Sequence, residues 1–198
     1  MTGGGASLSS LPNLLGILRI ALTPVVVALL LLPFPGAGII AFVIFAVAAV
    51  TDSLDGRIAR ARGIVSPLGV FMDLTADKVL VVGVLVAMVE VGLLPTWIVA
   101  TILVRELVVA GVRQVAAASD VVMSARVLGK AKTLTTLVAM AILLLAFDAQ
   151  TGGPMHALGI GPALLGAGFW LMVVAVALTL VSGWQYVRAA LPMLLGRA

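Results

Sequence analysis

Six stretches in which apolar residues dominate run along the chain, near Leu14–Leu32, Gly38–Arg60, Leu68–Val91, Pro95–Ala117, Ala131–Phe147 and Ala163–Val187. A helix needs about 20 such residues to cross the hydrocarbon core of a bilayer, so the pattern predicts six transmembrane helices. The breaks carry Pro and Gly, at Pro33 to Gly36, Gly92 to Pro95 and Gly152 to Pro162, where continuing a helix is penalised. No long repeat, low-complexity tract or linker interrupts the series, so residues 1–198 read as a single domain. The opening MTGGGASLSS has neither a basic n-region nor a small-residue cleavage site before a short apolar core, and the first span is expected to stay attached.

Composition turns this pattern into a class. Hydrophobic residues make up 63% and charged residues only 10%, whereas soluble domains carry about a quarter charged residues. The mean hydropathy of +1.28 excludes disorder. The absence of Cys excludes a disulfide scaffold and a cysteine-ligated metal. The expected fold is therefore an all-α polytopic membrane protein, a bundle of six transmembrane helices.

The net charge of +4 changes the picture through its distribution. Arg57, Arg60 and Arg62 lie at or just past the end of the second span, and Arg113, Arg126, Lys130 and Lys132 bracket the loop between the fourth and fifth. Arg188 and Arg197 follow the sixth, and the three intervening loops have no Lys or Arg. By the positive-inside rule both termini and the two basic loops face the cytosol. These cations set topology and meet phosphate groups; nucleic acid is not expected as a partner.

Some charges fall inside the spans: Arg19, Lys78 and Arg105, together with Asp52, Asp55, Asp73, Asp77, Glu90 and Glu106. Each costs at least a few kcal/mol at depth unless paired or wet, which makes it a functional candidate. Four of the eight acidic residues lie between positions 52 and 77. At ~100° per residue, Asp52, Asp55, Gly56 and Ala59 share one face of the second helix, and Gly69, Asp73 and Asp77 share one face of the third. A short basic loop makes these helices antiparallel neighbours, so the two acidic faces can meet near their cytosolic ends. Four crowded carboxylates repel one another and call for a cation. An all-oxygen donor set favours Mg²⁺ or Mn²⁺ over Zn²⁺. The plainer alternative pairs each Asp with Arg57, Arg60 or Lys78. Gly56 and Ala59 let a flat or phosphorylated ligand approach the helix, although small residues also serve ordinary helix packing.

The segment TDSLDGRIARARGIVSPLGVFMDLTADK contains D-x2-D-G-x2-A-R-x8-G-x3-D-x3-D, which resembles the signature of the CDP-alcohol phosphatidyltransferases. All eight signature positions match: Asp52, Asp55, Gly56, Ala59, Arg60, Gly69, Asp73 and Asp77. Four further stretches, PNLLGILRI, ADKVLV, VRELVVAGVR and GKAKT, resemble the bacterial branch of the family whose acceptor is glycerol 3-phosphate. The resemblance implies transfer of a phosphatidyl group from CDP-diacylglycerol to that alcohol with release of CMP, at the cytosolic face of a bacterial-type inner membrane. It further implies a homodimer and two bound metal ions.

On this reading Asp52, Asp55, Asp73 and Asp77 are metal ligands, and Asp77 is also the general base. Asp52, Asp55, Gly56, Ala59, Arg60 and Gly69 receive the CDP portion, with Arg60 pairing to phosphate. Glycerol 3-phosphate needs a dianion site, and Arg113, Lys130 and Lys132 cluster at the right membrane face, with Arg105 deeper. Two alternatives are distinguishable by assay. One keeps the donor and uses inositol phosphate, serine or phosphatidylglycerol as acceptor; the other, more remote, is a divalent-cation or proton transporter using the intramembrane acids. Among single residues, His156 reads as an ordinary loop residue, and Trp97, Trp170, Trp184 and Tyr186 as the pool of interfacial anchors. Glu106 beside Arg105 reads equally as a structural ion pair or a substrate contact.

Overall fold

The computed structural model describes the backbone of residues 11–61, 67–118 and 127–194, and within these the side chains of 14–51, 75–76, 78–118 and 128–193. The described residues are helical throughout, apart from turns: α1 (Leu11–Leu31), α2 (Ala37–Ala61), α3 (Pro67–Glu90), α4 (Thr96–Ala118), α5 (Val127–Gln150), the single turn α6 (Pro154–Ala157) and α7 (Gly161–Leu194). Three of them contain stretches long and apolar enough to cross a membrane, at Leu14–Leu31, Leu128–Gln150 and Gly161–Met193. The Pro and Gly breaks act as expected. Gly92 (φ +74°) and Gly152 (φ +77°) adopt the left-handed conformation that terminates α3 and α5. The following amides close back onto the helix, Leu93 N to Met88 O at 2.9 Å and Gly153 N to Asp148 O at 2.9 Å, a Schellman closure.

Two helices outrun the apolar stretches that predicted them. α5 begins at Val127 rather than Ala131 and ends at Gln150 rather than Phe147, and α7 runs from Gly161 to Leu194 rather than from Ala163 to Val187. At 1.5 Å per residue α7 is ~51 Å long, well beyond the ~30 Å hydrocarbon core. A charge ends an apolar run without ending a helix, so Arg188 sits inside α7.

α5 pairs most extensively with α7, and α1 packs along both α3 and α2. Among the described residues, direct contact between α2 and α3 is slight by comparison. The buried apolar cluster includes Leu30 of α1, Phe45 of α2, Leu85 and Met88 of α3, Ile98 of α4, Leu143 and Leu144 of α5 and Met172 of α7. These belong to the half of the bundle that carries the turns at Gly36, Gly92 and Gly152. Large apolar side chains such as Leu107, Leu134 and Trp170 point outward and are mostly exposed, as a lipid-facing surface requires.

Asp148, just beyond the expected end of the fifth span, is fully buried in that same half. Its Oδ1 accepts the amide of Ile39 at 3.2 Å and its Oδ2 accepts the amide of Met155 at 3.0 Å. One carboxylate thus satisfies unpaired donors in the first turns of both α2 and α6. Gly38 and Gly153 make this approach feasible, since a Cβ at either position would collide with Asp148.

Candidate active site

The eight signature residues lie on two helix ends. Asp52, Asp55, Gly56, Ala59 and Arg60 occupy the last turns of α2, and Gly69, Asp73 and Asp77 the first turns of α3. Their helical backbone preserves the spacing that gives each set a common face. Their side chains lie outside the described residues. Four aspartates would offer an all-carboxylate donor set, whose chemistry fits a hard divalent cation; among the described residues no group of three acids or histidines gathers.

A cleft of about 480 Å³ lies between α3, α4, α5 and α7. Lys78, the residue after Asp77, lines it, and so do Arg105, Arg113, Lys130 and Lys132. All four basic residues expected to bind acceptor phosphate therefore share one cavity. They enter it from α4 and α5, since Arg105 and Arg113 are two turns apart on α4 while Lys130 and Lys132 start α5. Among the described residues, five cationic side chains and one carboxylate, Glu106, line the cleft.

Glu106 organises the deep end. Arg105 Nη1 donates to Glu106 Oε1 at 2.9 Å, and Lys132 Nζ donates to the same oxygen. The ion pair expected between neighbours in sequence is thus a three-membered network that ties α4 to α5. Lys132 is buried, and its stem crosses apolar surface before the ammonium meets Glu106. Arg113 and Lys130 are exposed at the mouth. A smaller cavity of about 330 Å³ shares Lys78, Glu106 and Lys132 and is otherwise mostly apolar.

α7 supplies three side positions that sequence reasoning passed over. Arg105 Nη2 donates to Ser182 Oγ at 2.8 Å. Tyr186 is 95% buried, with its ring centroid 5.9 Å from Arg105 Cζ and 5.8 Å from Arg113 Cζ. It belongs to the cleft wall and not with Trp97, Trp170 and Trp184, whose rings are exposed. Gly183, between them, abuts the Arg105 side chain. Arg19, another intramembrane cation, is buried in α1. His156 lies in the single turn α6 rather than in a loop, with Nδ1 3.0 Å from the Ala149 carbonyl oxygen, and it does not line the cleft.

Comparison with known proteins agrees with the motif. The chain is 35% identical over 189 residues to a protein of Bacillus subtilis (strain 168) named CDP-diacylglycerol–glycerol-3-phosphate 3-phosphatidyltransferase, covering 89% of this chain and 93% of that one. A protein of the same name from Pseudomonas fluorescens is 36% identical over 193 residues, with 93% and 92% covered. A cardiolipin synthase (CMP-forming) of Oryza sativa subsp. japonica is 35% identical over 185 residues, covering 84% of this chain but only 56% of the plant protein. The sequence profile of the CDP-alcohol phosphatidyltransferases matches residues 9–181, so the chain that carries the helix-end aspartates and the cationic cleft belongs to the CDP-alcohol phosphatidyltransferase family.

Proposed function

We propose that this chain transfers the phosphatidyl group of CDP-diacylglycerol to sn-glycerol 3-phosphate, giving phosphatidylglycerophosphate and CMP, as its bacterial relatives are named for doing. The observation that carries the acceptor assignment is the gathering of Arg105, Arg113, Lys130 and Lys132 in one cleft whose wall continues into Lys78, one residue from Asp77. A phosphomonoester dianion needs several donors with net positive charge, and among the described residues the cleft is lined by five cations and one carboxylate. Asp52, Asp55, Asp73 and Asp77 would hold two Mg²⁺ or Mn²⁺ ions. When bound, such ions neutralise the pyrophosphate and align attacking and leaving oxygens.

The remaining chemistry falls to the chain. Gly56 and Ala59 leave room on α2 for the cytidine and pyrophosphate, and Arg60 pairs with a phosphate oxygen. Asp77 takes the proton of the acceptor hydroxyl as its oxygen bonds to the phosphatidyl phosphorus and the bond to CMP breaks. A carboxylate is too weak a base to remove that proton beforehand, so proton transfer runs with attack. The diacylglycerol tails stay in lipid while the water-soluble acceptor enters from the cytosol. This reading includes six spans, cytosolic termini, a site facing the cytosol of the inner membrane, and a single catalytic domain working as a homodimer. A cation or proton pathway through the same acids gains nothing from the family assignment.

The test is an acceptor panel with purified protein, measuring CMP release from CDP-diacylglycerol with glycerol 3-phosphate, inositol phosphate, serine or phosphatidylglycerol. Release with glycerol 3-phosphate and formation of phosphatidylglycerophosphate are expected. Turnover with phosphatidylglycerol in its place would move the chain towards the activity named for its plant relative.

A further inference from the structure

One turn of α7 packs against Arg105, with Tyr186 lining the cleft and Ser182 and Gly183 touching the arginine side chain behind it. Ser182 is fully buried. Its hydroxyl donates to the Thr179 carbonyl at 3.1 Å, so its only hydrogen is committed to the helix and its lone pairs are left for Arg105 Nη2. At Gly183, a Cβ would stand 2.9 Å from Arg105 Cγ and 3.4 Å from its Nε, closer than the ordinary carbon separations of a packed interior. The Tyr186 ring, one turn on, lies within cation–π range of the Arg105 guanidinium. Glu106 holds the other end of that guanidinium through Nη1, while the buried Nε makes no hydrogen bond among the described residues. The plane of Arg105 is therefore set by Glu106 on one side and by α7 on the other.

We propose that Ser182, Gly183 and Tyr186 are positioning residues through which α7 fixes Arg105 in the cleft and so sets the affinity for the acceptor's phosphate without touching the acceptor. The inference rests on the reading of the cleft as the acceptor site. Glu106 alone cannot supply this control, because its Oε1 is shared with Lys132 and it meets only one Nη group of Arg105. An arginine held in one rotamer loses less freedom when it binds an anion than one that must be ordered at that moment. Ser182 removes that freedom at the second Nη, Gly183 gives the stem its path, and the Tyr186 ring covers the guanidinium.

Steady-state kinetics on the purified full chain tests this with Ser182→Ala and Gly183→Ala. Each should raise the glycerol 3-phosphate KM by about three- to tenfold, the effect of one hydrogen bond, while kcat and the CDP-diacylglycerol KM hold. The double variant Ser182→Ala/Arg105→Gln should behave as Arg105→Gln alone, because Ser182 acts through that one side chain. A loss of kcat with both KM values unchanged, the mark of a smaller folded fraction, would overturn the proposal, and so would additive effects in the double variant. If Arg105→Gln raises the acceptor KM and neither α7 variant does, the acceptor cleft stands and the proposal falls. If Arg105→Gln itself leaves that KM unchanged, Arg105 does not bind acceptor phosphate and both fall together.

Discussion

Lys130 and Lys132 stand two residues apart at the start of α5 and line the same cleft, yet replacing each by Gln should give quite different enzymes. Lys132 is 8% exposed and pairs with Glu106, whereas Lys130 is exposed to solvent. A charge-assisted contact from a desolvated ammonium to phosphate contributes about 1.5–3 kcal/mol. Its loss at Lys132 should raise the glycerol 3-phosphate KM by about tenfold to over a hundredfold. The same change also leaves Glu106 to Arg105 alone, so a second cation of the site is more fully neutralised. At Lys130 water and salt screen the interaction, and exposed pairs contribute about 0.2–1 kcal/mol, at most about a fivefold change. The assay is the acceptor KM of both variants at fixed, saturating CDP-diacylglycerol, repeated at two salt concentrations, with only the Lys130 contribution expected to fade as salt rises. Equal effects, or a larger one at Lys130, would show that acceptor phosphate binds at the mouth of the cleft and refute the depth argument.

Asp148→Ala removes two buried backbone contacts of about 1.5–3 kcal/mol each, and should lower the Tm in detergent by on the order of 10 °C with the acceptor KM unchanged; an unaltered Tm would mean that the clamp carries no stability. Chelation of divalent cations should abolish CMP release and Mg²⁺ or Mn²⁺ should restore it, whereas full turnover in metal-free buffer would reject the four-aspartate site. Asp52→Asn and Asp73→Asn should weaken metal binding and turnover together, while Asp77→Asn lowers kcat with donor binding retained. Equal loss of donor binding in all three would remove the separate role given to Asp77.

The helix boundaries were legible where Gly or Pro enforces them, as at Gly92 and Gly152. They were illegible where a helix simply continues past its apolar run, as α7 does through Arg188. The signature aspartates could be found because their spacing is local and periodic. The four cations could be grouped because they crowd one membrane face, although their common cleft depends on how α4 and α5 pack. Ser182 gave no signal: a small polar residue in an apolar helix means little until its partner, 77 positions away, is known. Tyr186 could not be told from the three tryptophans for a related reason, because an amphipathic ring near a span end has the same pattern whether it meets lipid headgroups or two guanidiniums. Asp148 lay just beyond an apolar stretch, and nothing local tells that its carboxylate reaches Ile39, 109 residues earlier.

That carboxylate fixes the register of α2 from one end. Asp148 staples α2, α5 and α6 together at one end, and Ile39 lies 13 residues before Asp52 on the same helix, a lever arm of ~20 Å. The apolar cluster fills the same half, so α2 is anchored where it carries no signature residue and the first aspartates stand along its helical continuation. Any rotation or slip of Ile39 against Asp148 is therefore carried along the helix to the turns that bear Asp52 and Asp55.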